Sequence, residues 1–486
     1  MLAPPTFHGL LADAAALARR AASAPAGAMD DEPVLSLALP LHLGPGRPLD
    51  PLTLLPALGG ASPGGTDPFR FLWDGAPGLC LAASGRCNSL QLSGPRRFEL
   101  AQRFCGLSLQ RLACRPEPLP PLARPRVLLA FAFFDSPLQE GDGVAGVEAV
   151  LPRWQLSRQG RHGWLRLQRA LGGAITPRAV AEELWEMARH LEGLAALDAD
   201  LPLSSAAASP LVLSGSDWGE AYRAALHQGL ELVERGDLRK LVLAARQRLE
   251  LRGPLDPRLP LAHLRRSQPG SCRFLWQTTR EEALLGASPE RLFSVRQGLL
   301  RADALAGTRP SGDGARELLS SEKDRHEHDL VVETISRVLG KAGLAPQRPR
   351  RPRLARHGGL VHLHTPITAR LEGRSPLDLA EALHPTPAVA GLPRREAMAW
   401  LRTLEPFERG HYAAPIGWID SQGDAELRVA IRSGVLRPDS LEITAGAGLV
   451  RGSAPDREER EVDLKLRVLR DQLLPVGDDA SRRAIV

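Results

Sequence analysis

Carboxylates that recur on the inward face of two helices offer the clearest chemistry in this sequence. Between Ser321 and Gly343 the apolar residues Val331, Ile335, Val338 and Leu339 recur at helical spacing. Stepping back three or four residues from that stripe reaches Glu327, then Lys323 and Asp324. The last long helix repeats the pattern: Val468 and Leu464 step back to Glu461 and then Glu458, with Lys465 one turn after Glu461. Acidic residues in a first helical turn also complement the helix dipole, and that reading suits either helix taken alone. Two such helices converging in a partly buried place need a cation. Oxygen ligands without His or Cys partners favour Mg2+ over zinc.

Two further features suit an anionic ligand. The run Thr444-Ala445-Gly446-Ala447-Gly448 lies just ahead of the second helix, where bare backbone N–H groups can approach an anion; glycine there also permits a bulge or close packing. Arg432 closes a strand from Arg428 and offers a planar, bidentate clamp for a carboxylate. Lysine is informative because it is nearly absent: 58 of the 62 basic residues are arginine, leaving Lys240, Lys323, Lys341 and Lys465. Where either base serves, this chain uses arginine, so the surviving lysines mark positions that call for an ammonium.

The elements that would position these groups have an α+β texture. Residues 1–65 form an Ala/Pro-rich segment with one short helix near Leu10 to Ala22. A front portion, 66–210, reads as strands at Phe69 to Ala83 and Val127 to Phe134, and ends in a Ser/Ala/Pro linker, Ser204 to Pro210. The portion 211–475 begins with a helix carrying Trp218, Tyr222, Leu226, Leu230 and Val233 on one face and stopped by Gly236. Strands follow at Leu241 to Leu251, Ala283 to Ala287 and Leu292 to Val295, and a short tail, 476–486, ends the chain.

Composition excludes several classes. With 43% hydrophobic and 24% charged residues the chain is ordinary globular, neither disordered nor collagen-like. Its longest apolar run, Val127 to Phe134, is strand-sized, so no membrane span is expected. The N-terminus lacks the basic-then-apolar order of a signal peptide. Five cysteines without a CxxC read as reduced core thiols of a cytoplasmic protein. The net charge of +6 is concentrated at Arg348, Arg350, Arg351, Arg353 and Arg356, interleaved with proline and free of aromatic stacking surfaces. That pattern reads as a solvated loop and no nucleic-acid partner.

In their order along about 250 residues, several motifs resemble the chorismate-utilising enzymes, and within them the isochorismate synthases. They are Lys240-Leu-Val-Leu-Ala, Gly286-Ala-Ser-Pro-Glu-Arg-Leu, Leu305-Ala-Gly-Thr-Arg-Pro, Ser321-Glu-Lys-Asp-Arg-His-Glu-His, Leu383-His-Pro-Thr-Pro-Ala-Val-Ala-Gly, Gly417-Trp-Ile-Asp, Val429-Ala-Ile-Arg-Ser, and Ala445-Gly-Ala-Gly through Lys465. The front portion matches more loosely, through Phe71-Leu-Trp-Asp and Leu129-Ala-Phe-Ala-Phe-Phe-Asp. The resemblance implies a chorismate-binding fold, in which large antiparallel sheets pack face to face with helices outside. It also implies chorismate as substrate, Mg2+ as cofactor, and a monomer or weak homodimer.

Roles follow from the resemblance, residue by residue. Lys240 matches the general base that activates water for attack at C2 of the ring, and Glu290 the general acid that protonates the departing C4 hydroxyl. Glu327 and Glu461 match direct Mg2+ ligands, with Asp324 and Glu458 matching residues that hold the ion's waters. Tyr412, Arg432, Gly446, Gly448 and Lys465 match contacts to the substrate's carboxylates and pyruvyl arm, and His384 with Thr386 the loop beside the ring. Relatives that insert ammonia often carry Gln at the position of Lys240, so lysine there implies water as nucleophile. Salicylate synthases share the lysine but go on to eliminate pyruvate, and their His-Pro loop usually differs from the one here. Menaquinone, siderophore and salicylate routes all remain open to the product, with menaquinone preferred. Three positions depart from the family pattern: Ala414 for a common glycine, Leu427 for an aromatic residue, and Glu459 for tryptophan.

Arginine holds its proton at any useful pH, so it cannot replace a lysine that must accept one. The expected outcome is that Lys240→Arg loses turnover nearly as completely as Lys240→Ala, by roughly a hundredfold or more, measured as initial rates on the purified variants.

Overall fold

The computed structural model describes residues 5–22, 33–41, 49–60, 67–75, 77–115, 119–137, 144–172, 175–196, 212–310 and 314–474. The linker expected at Ser204 to Pro210 and the tail 476–486 lie outside these residues. Among the described residues the strands pair antiparallel throughout, apart from a two-residue parallel contact of Val34 and Leu35 with Leu112 and Ala113.

One long strand, Val147–Gln159, organises the sheets. On one edge it pairs with Cys80–Leu92; on the other, its first residues pair with Arg126–Phe131 and its later ones with His162–Ala170. Two arms of sheet leave this fork. The first runs from Cys80–Leu92 through Arg70–Asp74, Cys272–Gln277, Ala283–Ser288, Ser433–Leu436 and Ser440–Leu449 to Lys240–Leu251. The second runs from Arg126–Phe131 through Pro415–Asp420, Ala425–Val429, Arg291–Arg296 and Leu299–Pro310 to Leu360–Arg370.

Alternation along the strands gives each arm two faces. Phe71, Trp73, Phe274 and Trp276 of the first arm meet Leu128, Ala130, Ile416 and Trp418 of the second in one aromatic-rich core. The intervening residues Leu72, Leu275, Val127, Leu129 and Phe131 turn the other way, into the larger core that the helices cover. The result is the expected α+β arrangement of antiparallel sheets face to face with helices outside. The boundary drawn near 210 divides the sequence but not the sheet. Arg70–Asp74 pairs with Cys272–Gln277, and Arg126–Phe131 with Pro415–Asp420.

The N-terminal segment carries more structure than its composition announces. Its helix, Phe7–Ala22, packs on Pro177–Ala196, with the Phe7 and Trp185 rings 5.9 Å apart. It also supplies a strand, Val34–Leu41, paired with His162–Ala170. That strand was not legible because an apolar run without polar alternation looks the same in a buried strand or a buried helix. The arginine-rich stretch expected as a loop is partly strand: Arg353–His357 pairs with Leu360–His364, and its five arginines are all exposed.

Two crossovers join the arms and build the site. From Ser288 the chain passes through Pro289 and Glu290 into the second arm at Arg291, and from Val429 it returns through Ala430 to Arg432 into the first arm at Ser433. The crossovers are laced together. Val429 N–H donates to the Glu290 carbonyl at 3.1 Å, and Ala287 N–H to the Arg432 carbonyl at 3.0 Å. The Ser288 hydroxyl donates to the Val429 carbonyl at 2.6 Å. Arg432 adopts a left-handed backbone with φ of 54°, and the approach of its carbonyl explains the neighbouring glycine: a Cβ on Gly286 would lie 2.6 Å from that oxygen.

Candidate active site

Lys240 opens the strand Lys240–Leu251 at the edge of the first arm, and its side chain is fully buried. On the adjoining strand Gly446 lies opposite Ala244 and Gly448 opposite Val242, so both glycines share the face from which Lys240 projects. Their bareness makes room. A Cβ on Gly448 would stand 2.5 Å from Glu327 Oε1 and 3.2 Å from Lys240 Cε. Glu327 arrives on the helix Glu322–Lys341, capped by Ser321, whose hydroxyl accepts from Asp324 N–H at 3.2 Å. Glu458 and Glu461 arrive on the helix Pro455–Leu473. The buried face of that helix runs Glu458, Val462, Leu466 and Leu469, so Leu464 and Val468, expected as its apolar stripe, sit at the flank.

Each of the four carboxylates meets a cation of the chain itself. Lys240 Nζ lies 2.9 Å from Glu327 Oε1, a contact close enough for an ion pair yet poorly aligned as a hydrogen bond. Lys465 Nζ donates to Glu461 Oε1 and to the Gly446 carbonyl, both at 2.7 Å. Lys323 pairs with Glu458. Asp324 is held by Arg309 at 2.8 Å and by Arg457 at 3.5 Å. Three of the four lysines thus face three of the four acids. The fourth, Lys341, occupies the last turn of its helix, where a cation complements the dipole.

These acids suit a hard divalent cation. Glu327 and Glu461 line one cavity, and Glu458 Oε2 is buried. Burial, reinforced by Glu461, pushes the Glu458 carboxyl above its ordinary range against the pull of Lys323. Among the described residues no three His, Cys, Asp or Glu side chains stand close enough to form a finished cage.

The cavity measures about 720 Å3 counting its open mouth, and its wall includes Glu290, Glu327, Tyr412, Arg432, Gly446, Gly448, Glu461 and Lys465. Burial pushes the Glu290 carboxyl up to about 8; Asp303 adds to this and Lys240 opposes it. Glu290 therefore carries a proton at neutral pH. Burial likewise pushes the Tyr412 phenol up to about 12. Arg432 is lowered to about 10 by burial, partly offset by Tyr412 and Glu461, and so remains charged. Among the described residues no carboxylate lies within ion-pair distance of Arg432. A buried guanidinium facing a cavity without an acidic partner is a place for an anionic ligand.

His384 and Thr386 support this wall from behind. The buried His384 ring donates to the Phe133 carbonyl at 3.0 Å and packs between Phe98 and Phe133. Burial lowers its pKa well below the usual histidine value, so the ring is neutral. The Thr386 carbonyl accepts from Val389 N–H at 3.1 Å and Ala390 N–H at 3.0 Å, a turn that sets Ala388 and Val389 on the cavity wall.

Several participants escaped sequence reasoning. His362 lines the cavity, 3.1 Å from the Thr308 hydroxyl, where the strand Leu299–Pro310 bulges at Gly307. Behind Tyr412, the buried Arg409 donates to Glu405 and to the carbonyls of Val242 and Val389 at 2.7 Å, while Glu405 accepts from Ala244 N–H at 2.9 Å. That pair fastens the Lys240 strand to the Thr386 turn. Tyr222 lies buried near Glu458 and Glu461, its hydroxyl without a partner. The chain has only two tyrosines, and both are here, which is the signal that would have found it. Of the positions that depart from the family pattern, Ala414 and Leu427 are fully buried, and Glu459 pairs with Arg223 at 3.2 Å.

Buried carboxylates and lysines around a cavity that bears an arginine suit a small anionic ligand. Comparison with known proteins agrees. Residues 45–474 match the sequence profile of the family described as chorismate binding enzyme, and the chain belongs to that family. It is 41% identical over 264 residues to the salicylate biosynthesis isochorismate synthase of Pseudomonas aeruginosa, covering 53% of this chain and 55% of the relative. Over 263 residues it is 38% identical to the isochorismate synthase MenF of Bacillus subtilis, covering 52% and 55%. The matched stretch thus spans about half the length of these curated relatives. The solved structure of MenF, the menaquinone-specific isochorismate synthase from Escherichia coli, superposes with a TM-score of 0.72 at 25% identity, covering 96% of this chain and 99% of that one.

The proton on Glu290 has a measurable consequence. Its folded value is raised from 4.5 to about 8, so its contribution to stability is complete below 4.5 and is lost as pH rises through about 8. Relative to Glu290→Gln, the native protein should lose up to about 1.4 kcal/mol per pH unit between 4.5 and about 8, and no more above that. Denaturant unfolding of both proteins from pH about 5 to about 9 reads this out, and curves that run parallel below about 8 would contradict a proton on Glu290.

Proposed function

We propose that this chain is a Mg2+-dependent isochorismate synthase that converts chorismate to isochorismate. The observation carrying the proposal is that the raised carboxyl of Glu290 shares one cavity wall with Arg432 and with Glu327, whose Oε1 lies 2.9 Å from the buried Lys240 Nζ. Chorismate carries two carboxylates, which suit Arg432 and Lys465, with the pyruvyl arm beside Tyr412 and the bare backbone at Gly446 and Gly448. Lys240, acting as the neutral amine, takes a proton from water as the water oxygen bonds to C2. The ring double bonds shift, and Glu290 gives its proton to the C4 hydroxyl as that group leaves as water. One water enters and one departs, and the proton gained by Lys240 returns to Glu290 through solvent before the next turnover, so the net change is an isomerisation.

Glu327 and Glu461 would hold Mg2+, with Asp324 and Glu458 behind them, and the ion when bound fixes the ring carboxylate and withdraws charge. The wall of Ala388 and Val389, backed by His384 and Thr386, lies beside the ring. Full-length likeness to a menaquinone-specific enzyme favours menaquinone as the destination of the product. A second reading, in which isochorismate goes on to salicylate and pyruvate or into a siderophore, draws on the likeness to the Pseudomonas aeruginosa relative. Buried thiols at Cys80, Cys105 and Cys272 suit the reducing cytoplasm. Among the described residues no helix is long and apolar enough to cross a membrane.

Incubation of the purified protein with chorismate and Mg2+, with chromatography of the products, tests the assignment. Isochorismate alone is the expected product. Salicylate with pyruvate would move the assignment to the second reading, and no conversion by folded protein would contradict both.

A further inference from the structure

The least accounted-for cation at the site is Lys323. It lies in the first turn of the helix bearing Glu327, and its ammonium reaches across to Glu458 on the other carboxylate-bearing helix. The Glu458 side chain is 1% exposed and that of Lys323 16%, so the pair is largely closed to solvent. The second oxygen of Glu458 is buried, and Glu461 follows one turn later. A chain that resolves nearly every basic position to arginine keeps a compact ammonium here, whereas the neighbouring Asp324 is held by the arginines 309 and 457.

We propose that Lys323 is an internal stand-in for the divalent cation: it balances Glu458 while the metal is away and thereby weakens the site's affinity for Mg2+. This deepens the reading of Glu327 and Glu461 as metal ligands and rests on it. Two positive charges around the same carboxylates repel each other, so metal entry must work against the ammonium or displace it. A site built this way fills and empties with the prevailing Mg2+ concentration instead of trapping the ion. It also keeps the helix tips together when no metal is bound.

Calorimetric titration of Mg2+ without chorismate, on the native protein, Lys323→Gln and Lys323→Arg, tests this, with melting temperatures recorded with and without the metal. Lys323→Gln should bind Mg2+ roughly fivefold more tightly or better, melt below the native protein without metal, and recover at saturating Mg2+. Lys323→Arg retains the charge and should stay near the native affinity. Equal or weaker binding by Lys323→Gln, or tighter binding by Lys323→Arg, would overturn the proposal. So would a loss of stability that Mg2+ does not restore, which would make Lys323 a simple tether between helices. If the native protein takes up no Mg2+, the metal assignment of Glu327 and Glu461 falls first, and the role of Lys323 with it.

Discussion

The structure depends on balancing acids gathered at the tips of two helices. Glu327 stands over the bare strand at Gly448 and shares one cavity wall with Glu461, which lies one turn beyond the buried Glu458, and repulsion among such charges in a partly closed place would spread the helices. Lys240, Lys465 and Lys323 meet them one for one. Removing one partner of such a pair leaves an uncompensated buried charge, which costs more than the pair contributes. The ammoniums therefore hold the helices against the sheet and keep the same carboxylates available to a stronger cation.

Around that balance the fold supplies orientation. The two sheet arms converge where the crossovers at Glu290 and Arg432 run side by side, hydrogen-bonded backbone to backbone. Each crossover brings one side chain from the junction of the two arms into a cavity walled by strands of both arms, the two helices and the Thr386 turn. The pair Glu405 and Arg409 adds a second anchor, fixing the Lys240 strand from the side opposite the metal candidates. Burial raises the Glu290 carboxyl and lowers the Arg432 guanidinium alike, and among the described residues neither has an opposite charge within ion-pair distance.

What was legible in the sequence followed the physics that leaves periodic traces. The carboxylate helices were readable because apolar spacing continues into acids, and Lys240 and Lys465 stood out because lysine is so rare. The helix from Gly219 to Glu234 and the strands at Lys240–Leu251, Ala283–Ser288 and Arg291–Arg296 emerged close to their expected bounds. Glu290, Tyr412 and His384 needed the family resemblance, since a single acid in a turn or a lone aromatic residue carries no period. His362, Glu405 and Arg409 were not legible at all. They act through contacts between strands and loops far apart in sequence, and among so many arginines Arg409 has no distinguishing mark. The strand Val34–Leu41 was hidden by its uniform apolarity.

The central claim is that the carboxylates now held by lysines are the ones a divalent cation takes. Anomalous diffraction from crystals soaked in Mn2+, a redox-stable stand-in for Mg2+ with the same preference for oxygen, tests it most directly. The account predicts an anomalous peak between Glu327 and Glu461, with Lys240 Nζ moved off Glu327. A structure with these ammoniums still paired and the ion bound elsewhere, or nowhere, would contradict it.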